Sequence, residues 1–117
     1  MIISLISLSV FSQTSESNKK RFKDFYNLTE ISKAEVSLFK EDNYKSVEEY
    51  EKLIELMDCA KKVVSKFIPY KELVLYNKSG SKYMILFSSD FQRIKIDGRT
   101  FAISKKKSKE ISKILSQ

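Results

Sequence analysis

At Pro69 the apolar periodicity of this chain changes, and that change restricts the fold more than any other feature of the sequence. Upstream, Val47, Tyr50, Leu53, Ile54, Met57, Ala60, Val64 and Phe67 recur every three or four residues, the spacing of one helix face. Ser46-Val47-Glu48-Glu49 has the form of a capping box, in which the serine hydroxyl accepts a first-turn amide and Glu49 reaches back to the cap. Glu48, Glu49 and Glu51 crowd the start of this stretch and Lys61, Lys62 and Lys66 its end, as the helix macrodipole favours. Proline has no amide hydrogen and disfavours helical geometry at Ile68. The pattern predicts one long helix over residues 46–68.

Downstream the period is two. Leu73 and Leu75 alternate with Val74 and Tyr76, and Tyr83, Ile85 and Phe87 alternate with Met84 and Leu86. A loop at Lys78-Ser79-Gly80, with glycine taking the left-handed conformation, sets Leu75 against Tyr83 and Leu73 against Ile85. Asp97-Gly98 is the two-residue signature of a tight hairpin; counting outward pairs Ile96 with Arg99 and Ile94 with Phe101. Ile94, Ile96, Phe101 and Ile103 then share a face, with Arg93, Lys95 and Thr100 on the other. The expected fold class is α+β: the long helix packed on a four-stranded antiparallel meander over residues 71–104, with short N- and C-terminal helices.

The flanks are less regular. Phe22, Phe25 and Tyr26 lie at helical spacing within the basic stretch Lys19 to Tyr26, which predicts a short helix. Leu28 to Lys40 fits either period; Leu28, Ile31, Ala34 and Leu38 favour a helix, while Ala34, Val36 and Leu38 alternate as in a strand, and helix is the preferred assignment. Residues 104–117 are lysine-rich, with Ile111, Ile114 and Leu115 on one face and Ser108 as a candidate cap, and predict a docked terminal helix.

Met1 to Phe11 is an apolar run diluted only by serine. It falls short of the about 20 apolar residues that span a bilayer but fits a secretory h-region. Residues 1–12 are therefore expected to be a signal peptide cut before Gln13, although no Lys or Arg precedes the run; the alternatives are a buried N-terminal strand or helix and a misassigned start codon that has trimmed a Lys-bearing leader. Residues 13–27 then form a flexible leader and the short basic aromatic helix, and residues 28–117 a single domain. The expected location is outside the cytoplasm, periplasmic or secreted.

Catalytic equipment is thin. The chain has no histidine, the commonest general base and metal ligand near neutral pH. Its single cysteine, Cys59, excludes an internal disulfide and is read as a small core residue on the long helix. Glu41 with Asp42, and Glu48, Glu49, Glu51 and Glu55, are explained by a turn and a solvated helix start. Gly80 and Gly98 are both claimed by hairpin turns, so no phosphate-cradling loop remains. The expectation is a non-enzymatic protein with no cofactor and no metal site.

Charge supplies the binding hypotheses. The chain is formally +7, with seven acids and two lysines over residues 41–58 but six lysines and one acid over 61–82. Arg93, Lys95 and Arg99 are expected on the outward sheet face and are the candidate contacts to a protein partner. The clusters Lys19, Lys20, Arg21 and Lys105, Lys106, Lys107, Lys109 are the candidates for an anionic surface, either a membrane or, less favoured, a nucleic acid in the cytoplasm. The excess of lysine over arginine is poorly suited to bidentate phosphate recognition.

Val64-Ser65-Lys66-Phe67-Ile68-Pro69, then Leu73-Val74-Leu75, Tyr83-Met84-Ile85-Leu86-Phe87 and Ile94-Lys95-Ile96-Asp97-Gly98, resemble one PepSY-like module. In that family a helix ending in Phe and Pro feeds an antiparallel sheet with a Tyr-x-Val-x-Phe strand. The resemblance covers at most residues 46–104; the turn here is shorter and the tryptophan frequent in the family is absent. It implies an exported, non-catalytic module that binds or inhibits another protein, and supplies no active-site residue.

Overall fold

A computed structural model describes residues 21–116 of the 117-residue chain. The expected signal peptide over 1–12, the leader residues up to 20 and the candidates Lys19 and Lys20 lie outside the described residues. The elements run α1 (Phe22–Phe25), β1 (Ile31–Leu38), β2 (Lys45–Ser46), α2 (Tyr50–Asp58), β3 (Lys61–Val63), β4 (Lys71–Asn77), β5 (Lys82–Phe87), β6 (Arg93–Ile96), β7 (Arg99–Ala102) and α3 (Lys105–Leu115). The strands form one seven-stranded sheet in the order β2-β1-β4-β5-β6-β7-β3, antiparallel at every pairing.

The meander carries the register written in its turns. Leu73 pairs with Ile85, Leu75 with Tyr83, Ile94 with Phe101 and Ile96 with Arg99. Asp97 and Gly98 both take positive φ, 50° and 79°, as a twist-matched two-residue turn requires, and Gly80 takes 95°. Because strand side chains alternate between faces, this register places Leu73, Leu75, Ile85, Phe87, Ile94, Ile96, Phe101 and Ile103 together on an inner face. All eight are buried, and Tyr83 packs against them from the edge. The helices close over that face, α1 with Phe22, α2 with Leu53, Leu56 and Met57, and α3 with Ile111, Ile114 and Leu115.

The architecture is α+β, but the expected long helix on a four-stranded meander is overturned: three short helices cover a seven-stranded sheet. The periodic stretch 46–68 is helical only at Tyr50–Asp58. At its start, Ser46 pairs with Glu35 and the Val47 amide donates to the Ala34 carbonyl, 2.9 Å, so the supposed cap belongs to a strand. Glu49 takes the N-cap position without a side-chain bond. At its end, the Ala60 amide bonds back to Met57 and the Ala60 carbonyl accepts from the Phe22 amide, 2.8 Å. Lys61–Val63 then ladders onto β7. The β-branched pair Val63 and Val64 is stiff in a helix and suits this extended path. Cys59, expected in the core, is exposed at the C-cap of α2.

Residues Ile31–Leu38, assigned to a helix from sequence, are β1. Pairing with β4 along nearly their whole length overrides local periodicity, because each rung satisfies backbone groups that Ala34 and Val36, buried on the inner face, carry out of water. The terminal helix stands as α3, capped by Ser104 rather than Ser108: Ser104 Oγ accepts the Lys107 amide at 3.3 Å, while Ser108 is buried and donates to the Lys105 carbonyl at 2.7 Å.

Candidate functional site

β3 lies at one edge of the sheet and β4 in its middle, so the chain between them must cross the sheet. Residues 64–70 do so over the outer face, where Ser65, Lys66 and Phe67 lie beside Lys95 and Thr100. Exposure alternates along this crossover: Val64, Lys66, Ile68 and Tyr70 are exposed, and Ser65, Phe67 and Pro69 are partly covered. Val64 is 106% exposed and Ile68 88%. Two aliphatic side chains with essentially no covering atoms have no folding role. The helix stripe read from sequence took Val64 and Phe67 for core residues.

Beside the crossover is a groove of about 540 Å³ lined by Lys62, Val63, Val64, Lys66, Lys95, Arg99 and Thr100, among others. Four cations from β3, the crossover, β6 and β7 converge here, and among the described residues no carboxylate lines the groove. Among the described residues the one ion pair is Lys33 with Glu35, 3.7 Å, on β1. Among the described residues, the groove cations thus have no carboxylate within salt-bridge distance.

The hairpin register explains how Arg99 reaches this groove. Opposite Ile96, Arg99 starts on the inner side of the sheet, at its end. There its Nη1 donates to Tyr26 Oη at 3.0 Å and its guanidinium lies 4.8 Å from the centre of the Phe25 ring. Lys62 Nζ approaches the same ring at 5.4 Å, so Phe25 holds both cations at the groove's inner wall. Tyr26 Oη donates to the Ile96 carbonyl at 3.4 Å. Burial holds the Tyr26 phenol above its ordinary pKa, opposed by the Arg99 hydrogen bond and assisted by Asp97. Asp97, on the adjoining turn, is the acid that faces this corner.

Of the three sequence candidates, Lys95 and Arg99 therefore meet in the groove, from opposite faces of the sheet, and Arg93 does not. Arg93 shares the outer face with Lys95, but its Nη1 is spent on the Gln92 carbonyl, 3.0 Å, beside the Ser88–Asp90 turn. Asp90 is held below the ordinary carboxylate range by the Gln92 amide and the Ser88 hydroxyl. Sequence reasoning missed Lys62, Lys66, Val64 and Ile68 because it placed all four on the long helix. The available signal was the Val63-Val64 doublet, followed by alternation through Tyr70.

The terminal basic clusters are only partly united. Arg21 and Lys107 line a second cavity of about 560 Å³ with Lys61 and Cys59, while Lys105, Lys106 and Lys109 do not line it. Lys105, Lys106 and Lys107 occupy the first turn of α3, the end at which the macrodipole disfavours positive charge. Among the described residues no group of three or more His, Cys, Asp or Glu is placed to hold a metal ion, and no helix is long and apolar enough to cross a membrane.

Comparison with protein-family models, curated proteins and solved structures gives no match. The PepSY-like resemblance rests on the sequence alone, and Phe67 and Pro69, which carry its helix end, lie in the crossover.

Proposed function

We propose that this chain is a non-catalytic binding module that holds an acidic segment of a protein partner in the groove formed by Lys62, Lys66, Lys95 and Arg99. The observation that carries this is the combination of four convergent cations with no carboxylate partner among the described residues and the bare side chains of Val64 and Ile68 near them. Cations steer and orient an acidic partner, while desolvation of aliphatic anchors supplies affinity. A phosphate backbone would use the lysines but leave Val64 and Ile68 in water, which favours a polypeptide over a nucleic acid. Export of the protein, which the apolar run Met1 to Phe11 and the PepSY-like resemblance support, would place that partner outside the cytoplasm.

The test is fluorescence anisotropy of the full chain with a labelled peptide alternating glutamate and aliphatic residues, against the same peptide with glutamine for glutamate. The acidic peptide is expected to bind and the glutamine peptide to bind at least about tenfold more weakly, a difference of ~1.4 kcal/mol. Lys66→Glu with Lys95→Glu should abolish binding and leave the thermal midpoint within a degree or so, because both side chains are exposed. Equal binding of both peptides would refute the groove. Tighter binding of a single-stranded oligonucleotide or of anionic vesicles than of the acidic peptide would replace the protein partner by that class. Intact-mass measurement on protein from host fractions tests export: recovery of Met1 in a cytoplasmic fraction removes it.

A further inference from the structure

The crossover has a second property beyond its side chains. Among the described residues, no backbone-to-backbone hydrogen bond involves residues 64–69; the ladder stops at Val63, paired with Thr100, and the next bonded amide is that of Tyr70, donating to the Phe87 carbonyl at 2.7 Å. A run of peptide groups outside any ladder, with exposure alternating at every residue, has the form of a strand without a neighbour among the described residues. The outer edge of β3 itself is bridged at Lys61 by Arg21, and among the described residues no strand pairs with the chain beyond Val63 until Tyr70.

We infer that the partner segment docks by strand addition, pairing backbone to backbone with residues 64–68. The mode deepens the proposed function and rests on it. Strand addition draws affinity from main-chain bonds and specificity from alternate side chains. Here the outward side chains are Val64, Lys66 and Ile68, so the matching segment is aliphatic, then acidic, then aliphatic at every second position, each facing its cross-strand neighbour. The acidic residue lies toward Lys66 and the neighbouring Lys95. An extended acidic-aliphatic peptide is thus the occupant. An acidic helix would leave the peptide groups of 64–68 unmatched.

The main comparison varies the peptide and keeps the wild-type full chain. The probe is a capped peptide of alternating valine and threonine in which one central valine is glutamate. It is compared with two derivatives N-methylated at the odd or at the even residues. A strand added along one edge uses the amides of one set only. That set should weaken binding by about tenfold or more through loss of two or more main-chain bonds, and the other set should bind within about twofold of the parent. Amide exchange should slow at every second residue of 64–68 when the parent peptide binds. Equal effects of the two methylated sets, or unchanged exchange at 64–68 at saturation, overturn strand addition. If the parent binds in a charge-dependent manner in that case, the acidic-partner function stands without it. If the parent does not bind, or binds Lys66→Glu with Lys95→Glu as well as the wild type, the function itself falls. A dimer of the free chain that Val64→Ser dissociates would assign the crossover to a second copy and overturn the partner peptide.

Discussion

Truncating Phe22 should unfold more of this protein than its place on a four-residue helix suggests. α1 is far too short to persist on its own local bonds. It is held by what Phe22 does: the side chain is 0% exposed, its ring lies 5.1 Å from that of Tyr26, and it meets Phe101 edge-on at 5.3 Å. Its amide also closes the end of α2 through the Ala60 carbonyl. Phe22→Ala removes the ring and leaves a cavity walled by β7, whose Phe101 is fixed in the sheet by pairing on both sides, so the site cannot collapse freely. The expected cost is about 3–5 kcal/mol, against the about 5–15 kcal/mol total stability usual for a domain. With a urea slope of roughly 1.5 kcal/mol/M, the unfolding midpoint of the full chain, followed by far-ultraviolet circular dichroism, should fall by about 2–3 M. Phe22→Leu, which keeps most of the volume, should cost under about 1.5 kcal/mol. A loss below ~1 kcal/mol for Phe22→Ala would refute the argument, because the inner face would then be sealed without α1.

Tyr44 donates to Glu72, which pushes its phenol pKa up to about 12 from 10.0. The protonated phenol is favoured in the fold, so its contribution is complete below pH 10 and disappears as pH rises toward 12; Tyr44→Phe should flatten the alkaline loss of stability in that window, read by urea unfolding at successive pH values. Asp90 is shifted the other way, and its contribution is present above the unfolded carboxylate value and lost as pH falls through the depressed one. Asp90→Asn should therefore destabilise the Ser88–Arg93 turn at neutral pH by about 1 kcal/mol, with the difference shrinking in acid. Lys106→Glu should raise stability by ~0.3–1 kcal/mol by matching charge to the start of α3, and an unchanged thermal midpoint would argue against the macrodipole account. Gly98→Ala meets no atom within 4 Å yet forces a Cβ into positive φ, so calorimetry should show a loss of about 1–2 kcal/mol from conformation alone.

Legibility of this chain divides by the range of the interactions. Asp97-Gly98 and Gly80 set hairpin registers within a few residues of themselves, and the alternation around them is enough to determine the inner face of β4 to β7. The same count places Arg99 opposite Ile96, so its separation from Arg93 and Lys95 was already implicit in the turn. The terminal helix was equally local, with Ser104, rather than Ser108, the residue whose hydroxyl reaches an orphan amide.

Tertiary pairing decided the remainder. Residues 46–47 and 61–63 have helical spacing, but β1 and β7 offer each a ladder, and β4 does the same for Ile31–Leu38. Local periodicity weighs a few tenths of a kcal/mol per residue, whereas an unpaired backbone group removed from water costs about 1–3 kcal/mol, so the distant strand prevails wherever it arrives in register. The groove follows from that outcome. Lys62, Lys66, Lys95 and Arg99 converge only because the stretch written as the end of a helix is instead stretched across a sheet.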